Sequence, residues 1–504
     1  MPFRDKSSTI LKRMSTLIKT IVIQPPISDE MMWGRFKKGS GYVPPLGIMY
    51  IASYLEKAGF QCDVLDCLVE RYKLSDLREF LSKNKYDIIG FTMMTNSALD
   101  AFASAKIARE ICPEALIVFG GVHPTAFPEQ TLKECPHANL VVVGEGEEAF
   151  VDLVKCLSSG SDYHNVSGIA YLCKEENKVK YSTPRSPIPD LDLLPFPAYN
   201  KVPMEKYIPH VTQYIDLPNY PVVLQRGCPY QCTYCDHGAV LGKKIRSLSV
   251  ERAIENIKHL INNYGAKGIY FLDSVFTVRR DYIMKLLPEI EKLKISFACN
   301  ARADQLDLEL LTALKKAGCW MIQIGIESGN IKSLELIKKA SYSWAFKADP
   351  NDPNGRPYLL NKYEQEIRNC QKLGIQVMAS YILGLPGETA SDVETTINFA
   401  KKLATETALF FLPVPYPGSY LLEQAKQDGG LREDVTWKDY SCVDYSNPVY
   451  VNPKIGKEKM QELLTRAFNE YYRQPAVIYR NLRAIRSLKD IVKYVKAFRA
   501  LTGV

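Results

Sequence analysis

The sequence predicts an α/β protein in three parts: an N-terminal Rossmann-like doubly wound parallel sheet, a partial (β/α)6 TIM-like barrel and a C-terminal helical region. Three observations predict it. Short β-branched runs alternate with amphipathic segments over residues 20–159; a second alternation, six units long, occupies 206–440; a Pro- and Ser-dense stretch at 160–205 separates the two. After residue 440 the alternation stops, and 441–504 reads as helical and basic. A length of 504 residues suits several domains, and 46% apolar with 24% charged residues suits packed cores.

The first 19 residues, "MPFRDKSSTILKRMSTLIK", are basic and polar and read as an extension without the apolar run of a signal peptide. Strands follow at 20–24, 62–66, 87–92, 116–121 and 140–146, where Val and Ile concentrate, with helical periodicity at 46–58, 73–84, 97–111 and 128–133. Ligands of such sheets bind beyond the carboxyl ends of the strands, an edge formed here by "QPP", "TMMTN", "GGVHPT" and "GEGEE". Residues 160–205 read as a short hairpin and an extended linker. The barrel strands are expected at 221–225, 268–272, 296–300, 320–326, 376–383 and 408–413. Helices are expected at 249–264, 280–292, 307–317, 331–339, 361–373 and 390–404. Chemistry in such an arrangement sits at the carboxyl ends of the strands. Residues 343–357 are rich in turn formers and read as an exposed loop or lid. The basic end of the chain reads either as a solvated helical cap or as a patch for a membrane surface or anionic substrate.

A formal charge of +8 is modest for this length and argues for no nucleic-acid partner. The 13 cysteines are odd in number, and only Cys228, Cys232 and Cys235 cluster, so a disulfide framework is not expected and a reducing cytoplasm is. No stretch has the 18 or so apolar residues of a membrane span.

The cluster lies in "LQRGCPYQCTYCDHG", residues 224–238, directly after the first barrel strand. Three thiolates on one loop point to a metal centre. Structural zinc requires four ligands, and the local candidate for the fourth, His237, stands only two residues from Cys235. A 4Fe-4S cluster held by three thiolates instead leaves one iron open to a substrate or cofactor. Spacing C-x3-C-x2-C, the aromatic Tyr234 before the last cysteine and the placement after strand one resemble the radical S-adenosylmethionine superfamily. The resemblance implies that the open iron chelates S-adenosylmethionine, and that an electron from the cluster cleaves it to methionine and a 5'-deoxyadenosyl radical. It further implies cofactor contacts from Tyr234, from Asp273 in "FLDSVFT", from Asn300 and Arg302 in "CNARAD", and from Glu327 in "GIESGN". In "ILGLPGET" it implies contacts from Gly384 and Pro386. Relatives often carry two acids where this chain has Asp273 then Ser274.

The segments "GYVPPLGIMYIASYLEKAGF", "DIIGFTMMTNS", "FGGVHPT" and "VVVGEGEEAF" resemble the cobalamin-binding domain found ahead of many such radical enzymes. Small residues there let backbone approach a large planar ligand, and hydroxyls can bond its amide rim. The implied contacts are Thr92, Met93, Thr95, Asn96, Gly120, Gly121, His123, Thr125, Gly144 and Glu145. His123 reads equally as a turn residue capping a helix. The D-x-H-x-x-G motif that supplies a lower cobalt ligand is absent, since "DYHNVSG" places its glycine one residue late and beyond the sheet.

Taken together, the resemblances imply a cobalamin-dependent radical S-adenosylmethionine enzyme that methylates an unactivated carbon of a small-molecule or lipid substrate. Its electrons would come from an external donor such as flavodoxin or ferredoxin. An oxidative cyclase or rearrangement enzyme, like the anaerobic cyclase of bacteriochlorophyll synthesis, shares the domain order and stays open. So does a zinc-stabilised binding module, from a different class. Cys62, Cys67 and Cys112 do not resemble the cluster-binding N-terminal domain of methylthiotransferases.

Overall fold

The computed structural model of the chain describes residues 18–173, 175–236, 238, 241–340, 342–483, 485 and 496. The expected extension up to residue 17, His237 and nearly all of the basic tail beyond 485 lie outside the described residues. Contacts divide the chain into two units, one built mainly from 44–206 with the strand that precedes it, the other from 29–43, 207–238 and 243 onward.

The first unit carries a seven-stranded sheet: β1 (Thr20–Gln24), β2 (Cys62–Asp66), β3 (Ile88–Thr92), β4 (Leu116–Gly120), β5 (Leu140–Val142), β6 (Ile169–Cys173) and β7 (Lys178–Tyr181). Its order is β2-β1-β3-β4-β5-β6-β7. The first five strands are parallel, and the order reverses between β1 and β3, as in a doubly wound sheet. Helices on both faces explain why Ile21, Val22 and Ile23 are all buried despite pointing alternately to opposite faces. The expected hairpin is there, β6 pairing antiparallel with β7, and it also extends the sheet, because β6 pairs antiparallel with β5, Leu140 opposite Tyr171.

The strand expected at 140–146 ends at Val142. Gly144, at φ +86°, breaks the extended run. An unanticipated helix, Glu147–Ser159, then starts with Glu147 and Glu148 in its first turn, where they complement the helix dipole, and stops at the left-handed Gly160.

In the second unit the strands are β8 (Asn219–Val222), β9 (Gln225–Arg226), β10 (Arg246–Ser247), β11 (Gly268–Phe271), β12 (Ser296–Ala301), β13 (Cys319–Glu327), β14 (Gln376–Ile382) and β15 (Thr407–Phe411). Six of them form one parallel sheet ordered β15-β14-β13-β12-β11-β8, so each strand lies beside its neighbour in sequence, as in a partial barrel. Side chains fix the helix starts: Ser249 caps Val250–Tyr264, Asp307 caps Leu308–Lys316, and Thr389 with Asp392 forms a capping box for Ala390–Leu403. The first barrel strand is earlier and shorter than expected because the N–H groups of Leu224 and Gln225 bond Asp273 Oδ1. Gln225 and Arg226 then pair with Arg246 and Ser247 as a two-stranded ribbon, and the three cysteines lie in the excursion it closes.

The open edge of β15 is covered by helix Lys457–Tyr472. Tyr472 OH accepts from Ala408 N–H at 3.0 Å and donates to Ala408 O at 2.8 Å. In helix Pro475–Arg483, Arg480 donates to the carbonyls of Leu403 and Ala404 at the end of helix Ala390–Leu403, so this one basic residue serves as a helix cap. The turn-rich stretch 343–357 is knitted internally: Ala348 pairs with Pro357, and the Asn361 amide reaches both Asp349 and Asp352.

Candidate functional site

The cysteine loop is tied at its centre to two separate parts of the second unit. Thr233 N–H donates to Ile337 O at 3.1 Å, and Thr233 O accepts from Leu421 N–H at 2.8 Å. Within the loop Cys235 N–H donates to Cys232 O. Pinned in this way, the loop turns Cys228, Cys232 and Cys235 toward a cavity of about 370 Å³ at the carboxyl ends of β11, β12 and β13. Tyr234, Asn300, Arg302 and Glu327 line the same cavity. Burial pushes the Cys228 thiol up.

Arg302 brings positive charge to the thiols. Its Nε and Nη2 donate to the two carboxylate oxygens of Asp304 at 3.0 and 2.9 Å, its Nη1 lies 3.5 Å from Cys232 Sγ, and its guanidinium stacks 3.9 Å over the Tyr230 ring. Glu327 ends β13 at φ +67°, just past an irregularity in the pairing with β14 that lies between Gly325 and Glu327. A non-glycine residue held there is strained, and such strain is characteristic of sites that aim a side chain. Glu327 Oε1 accepts from Tyr234 OH at 2.9 Å and from Lys339 Nζ at 2.8 Å. Asn300 Oδ1 lies 3.0 Å from Tyr270 OH, and its Nδ2 donates to Asp273 O at 3.0 Å.

Three expected contacts lie elsewhere. Asp273 is buried outside the cavity: Oδ1 accepts from Leu224 N–H at 2.9 Å and Gln225 N–H at 2.5 Å, and its neighbour Ser274 lines the cavity instead. Gly384 and Pro386 belong to a loop that Glu388 holds through the N–H groups of Gly384 and Leu385, both at 2.9 Å. Gly384 borders a separate, smaller cavity beside Met460. Lys339, Gln323 and Tyr230 line the cysteine cavity without having been singled out. Gln323 did carry a signal, as a lone polar residue in the apolar run "WMIQIGI".

Burial raises the Asp273 carboxyl to about 7, although the N–H groups of Gln225 and Leu224 work against the rise. A folded-state value above the unfolded one means that this group's contribution to stability is complete below about pH 4 and is lost as pH rises through about 7. Asn at this position keeps an acceptor for both N–H groups and does not titrate. The melting temperature of Asp273→Asn should therefore fall less than that of the wild type between pH 5 and pH 8 in parallel thermal melts.

In the first unit, the carboxyl edge of the sheet exposes Thr92, Asn96, Gly120, Gly121, Thr125, Gly144 and Glu145 in part, whereas Met93, Thr95 and His123 are buried. Thr125 Oγ1 accepts from Gly144 N–H, joining the ends of β4 and β5, and Glu145 Oε2 accepts from Ile188 N–H. His123 is wholly buried with its ring edge-on to Phe127, and burial lowers it to about 4, so it stays neutral. It is a core imidazole and not a group displayed at the edge. Met94, by contrast, is exposed there.

Among the described residues no three His, Cys, Asp or Glu side chains close on one point as a single metal ion requires, while three thiols face one cavity. That donor set suits a cluster, whose irons take one thiolate each, better than zinc. At Gly120 and Gly144 an added Cβ would meet nothing within 4 Å, so this edge is bare backbone beside open space, as approach by a large ligand requires.

Comparison with known proteins matches two family models: a B12 binding domain over residues 34–154 and the Radical SAM superfamily over 222–400. An uncharacterized methyltransferase of Pyrococcus horikoshii is 33% identical over 483 residues, covering 94% of this chain and 98% of the relative. The anaerobic magnesium-protoporphyrin IX monomethyl ester cyclase of Rubrivivax gelatinosus is 27% identical, covering 86% of this chain and 74% of that one. Among solved structures, the radical S-adenosylmethionine methyltransferase TsrM from Kitasatospora setae, with cobalamin and a 4Fe-4S cluster bound, superposes with a TM-score of 0.68. It is 14% identical, over 96% of this chain and 99% of that chain, a likeness of fold.

Proposed function

Because the chain belongs to the cobalamin-dependent radical S-adenosylmethionine enzymes, we propose that it methylates an unactivated carbon of a small-molecule or lipid substrate. Its cofactors are a 4Fe-4S cluster, S-adenosylmethionine and cobalamin. When bound, these supply single-electron reducing power, hydrogen-atom abstraction and a transferable methyl group. The observation that carries the reading is the convergence of three thiols, Arg302 and Glu327 on one cavity at the carboxyl edge of the barrel.

In this reading Cys228, Cys232 and Cys235 hold the cluster. Arg302, 3.5 Å from Cys232 Sγ, offsets the thiolate charge, while its bidentate pairing with Asp304 keeps the guanidinium from swinging away. Tyr234, Asn300 and Glu327 orient S-adenosylmethionine, with Glu327 accepting from its ammonium. Asp273 serves indirectly, by fixing the backbone three residues before Cys228. The glycine-lined edge of β4 and β5 receives cobalamin, with Thr92, Asn96 and Thr125 as polar contacts and without a histidine ligand to cobalt.

An external flavodoxin or ferredoxin would reduce the cluster in the cytoplasm, with no nucleic-acid partner. Among the described residues no helix is long and apolar enough to cross a membrane, and peripheral membrane contact would fall to the basic tail, outside the described residues. The likeness to the cyclase favours one other reading, oxidative ring closure or rearrangement. Incubation of the anaerobically reconstituted enzyme with methyl-deuterated S-adenosylmethionine, reductant and candidate substrates separates the two. Deuterated methyl in the product is expected; a product changed in hydrogen count but free of label would establish the cyclase reading.

A further inference from the structure

Lys339 is the residue of the cavity that the sequence hides best. It follows helix Ile331–Leu336 in "IKSLELIKKA", where lysines at helical spacing read as solvated. Instead Lys338 turns through φ +51°, Lys339 N–H donates to Leu334 O at 2.9 Å, and the Lys339 side chain is driven inward, only 4% exposed. Its ammonium donates to Glu327 Oε1 at 2.8 Å and to Tyr234 OH at 3.1 Å, and its carbonyl accepts from Arg302 Nη2. One residue thereby ties the end of β13, the middle of the cysteine loop and the cationic wall together.

Both partners of this ion pair are nearly sealed from solvent, where an unpaired charge is strongly disfavoured. Arg302 is committed to Asp304, which leaves Lys339 as the cation bonded to Glu327. Space for the pair is made by a glycine. A Cβ on Gly325 would lie 2.1 Å from Glu327 Oε1 and 3.0 Å from Lys339 Nζ. Tyr234 stands between Cys232 and Cys235, so the bonds of its hydroxyl to Glu327 and Lys339 tether the loop that carries the thiols.

We propose that Lys339 is a positioning residue of this site: it holds the Glu327 carboxylate and the Tyr234 hydroxyl at one point, aiming Glu327 at bound S-adenosylmethionine and seating the cysteine loop against β13. The proposal rests on the functional reading above. It separates two consequences: the cluster assembles on the thiols without Lys339, but the cofactor is not gripped.

The test uses full-length protein reconstituted anaerobically as wild type, Lys339→Met, Gly325→Ala, Glu327→Gln and the Glu327→Gln, Lys339→Met double variant. Iron content, the dissociation constant for S-adenosylmethionine and the low-temperature EPR spectrum of the reduced cluster with and without it are measured. Lys339→Met and Gly325→Ala should keep their iron, bind S-adenosylmethionine at least about tenfold more weakly, and lose the EPR change it induces in the wild type. The double variant should bind no more weakly than Glu327→Gln alone, because the two residues act as one. Affinity within about twofold of wild type in both Lys339→Met and Gly325→Ala would overturn the proposal, since neither the cation nor the space made for it would then matter. Loss of iron from both would overturn it too, because the role would then be structural. A wild-type spectrum unmoved by S-adenosylmethionine would instead bring down the functional reading itself.

Discussion

A chain carrying Cys228→Ala, Cys232→Ala and Cys235→Ala is expected to fold and melt as the cluster-free wild type does, yet to retain none of the about four irons per chain of the reconstituted protein. The reason lies in how the loop is held. Its anchors are backbone bonds of Thr233 to Ile337 and Leu421, and its orientation comes from Tyr234, so no thiol is needed to shape it. Cys228 and Cys232 are only half-buried and Cys235 is exposed, whereas Cys62, Cys67, Cys299 and Cys370 are packed in the cores. Removing sulfur from partly solvated positions typically changes stability by no more than about 0.5 kcal/mol. Iron analysis, the loss of absorbance near the cluster's charge-transfer bands and the absence of 5'-deoxyadenosine after reduction check the chemical half of the result; circular dichroism and thermal melts check the other. A triple variant that kept its iron would remove the loop from the reaction altogether.

What could be read from the residues alone, and what could not, divides along a physical line. Strands β1, β2 and β13 and the helices beginning near 46, 98 and 390 were legible because each is specified locally, by its own apolar run or periodicity and, at 390, by the Thr389–Asp392 capping box. The thiol spacing was legible for the same reason, since all three ligands sit on one short loop. Features settled by partners far along the chain were not. The end of β8 depends on Asp273, fifty residues on, which claims the N–H groups that would have continued the strand. The 160–205 stretch could not disclose that β6 would find the edge of β5. Asp273 was read as facing the cavity because it stands at a strand end, and it was the adjacent Ser274 that did so. Lys339 was invisible because burial of a lysine is decided by Glu327 and Tyr234 together, on two other segments. His123 looked available, and tertiary packing closed it in.

Gly120→Leu should weaken cobalamin binding while leaving the rest of the molecule intact. Gly120 ends β4 outside the left-handed region, so leucine can adopt its backbone, and a Cβ there meets nothing within 4 Å. The side chain would therefore project into the open space beside the carboxyl edge, where the planar ligand is proposed to lie, and overlap of that kind typically opposes binding by about 1–3 kcal/mol or more. That corresponds to a loss of affinity of roughly five- to 150-fold or more. The neighbouring glycine gives the contrast. Gly121 stands at φ +104°, and a Cβ on it would lie 2.8 Å from Met93 O, so Gly121→Ala should lower the melting temperature as well. Cobalamin absorbance after reconstitution, iron content and thermal melts measure the three properties separately. Because the thiol cavity belongs to the other unit, Gly120→Leu should still cleave S-adenosylmethionine to 5'-deoxyadenosine while transferring labelled methyl more slowly at limiting cobalamin. Should label still reach the product at the wild-type rate, the methyl group does not pass over this edge, and the reading of the first unit as the cobalamin site fails.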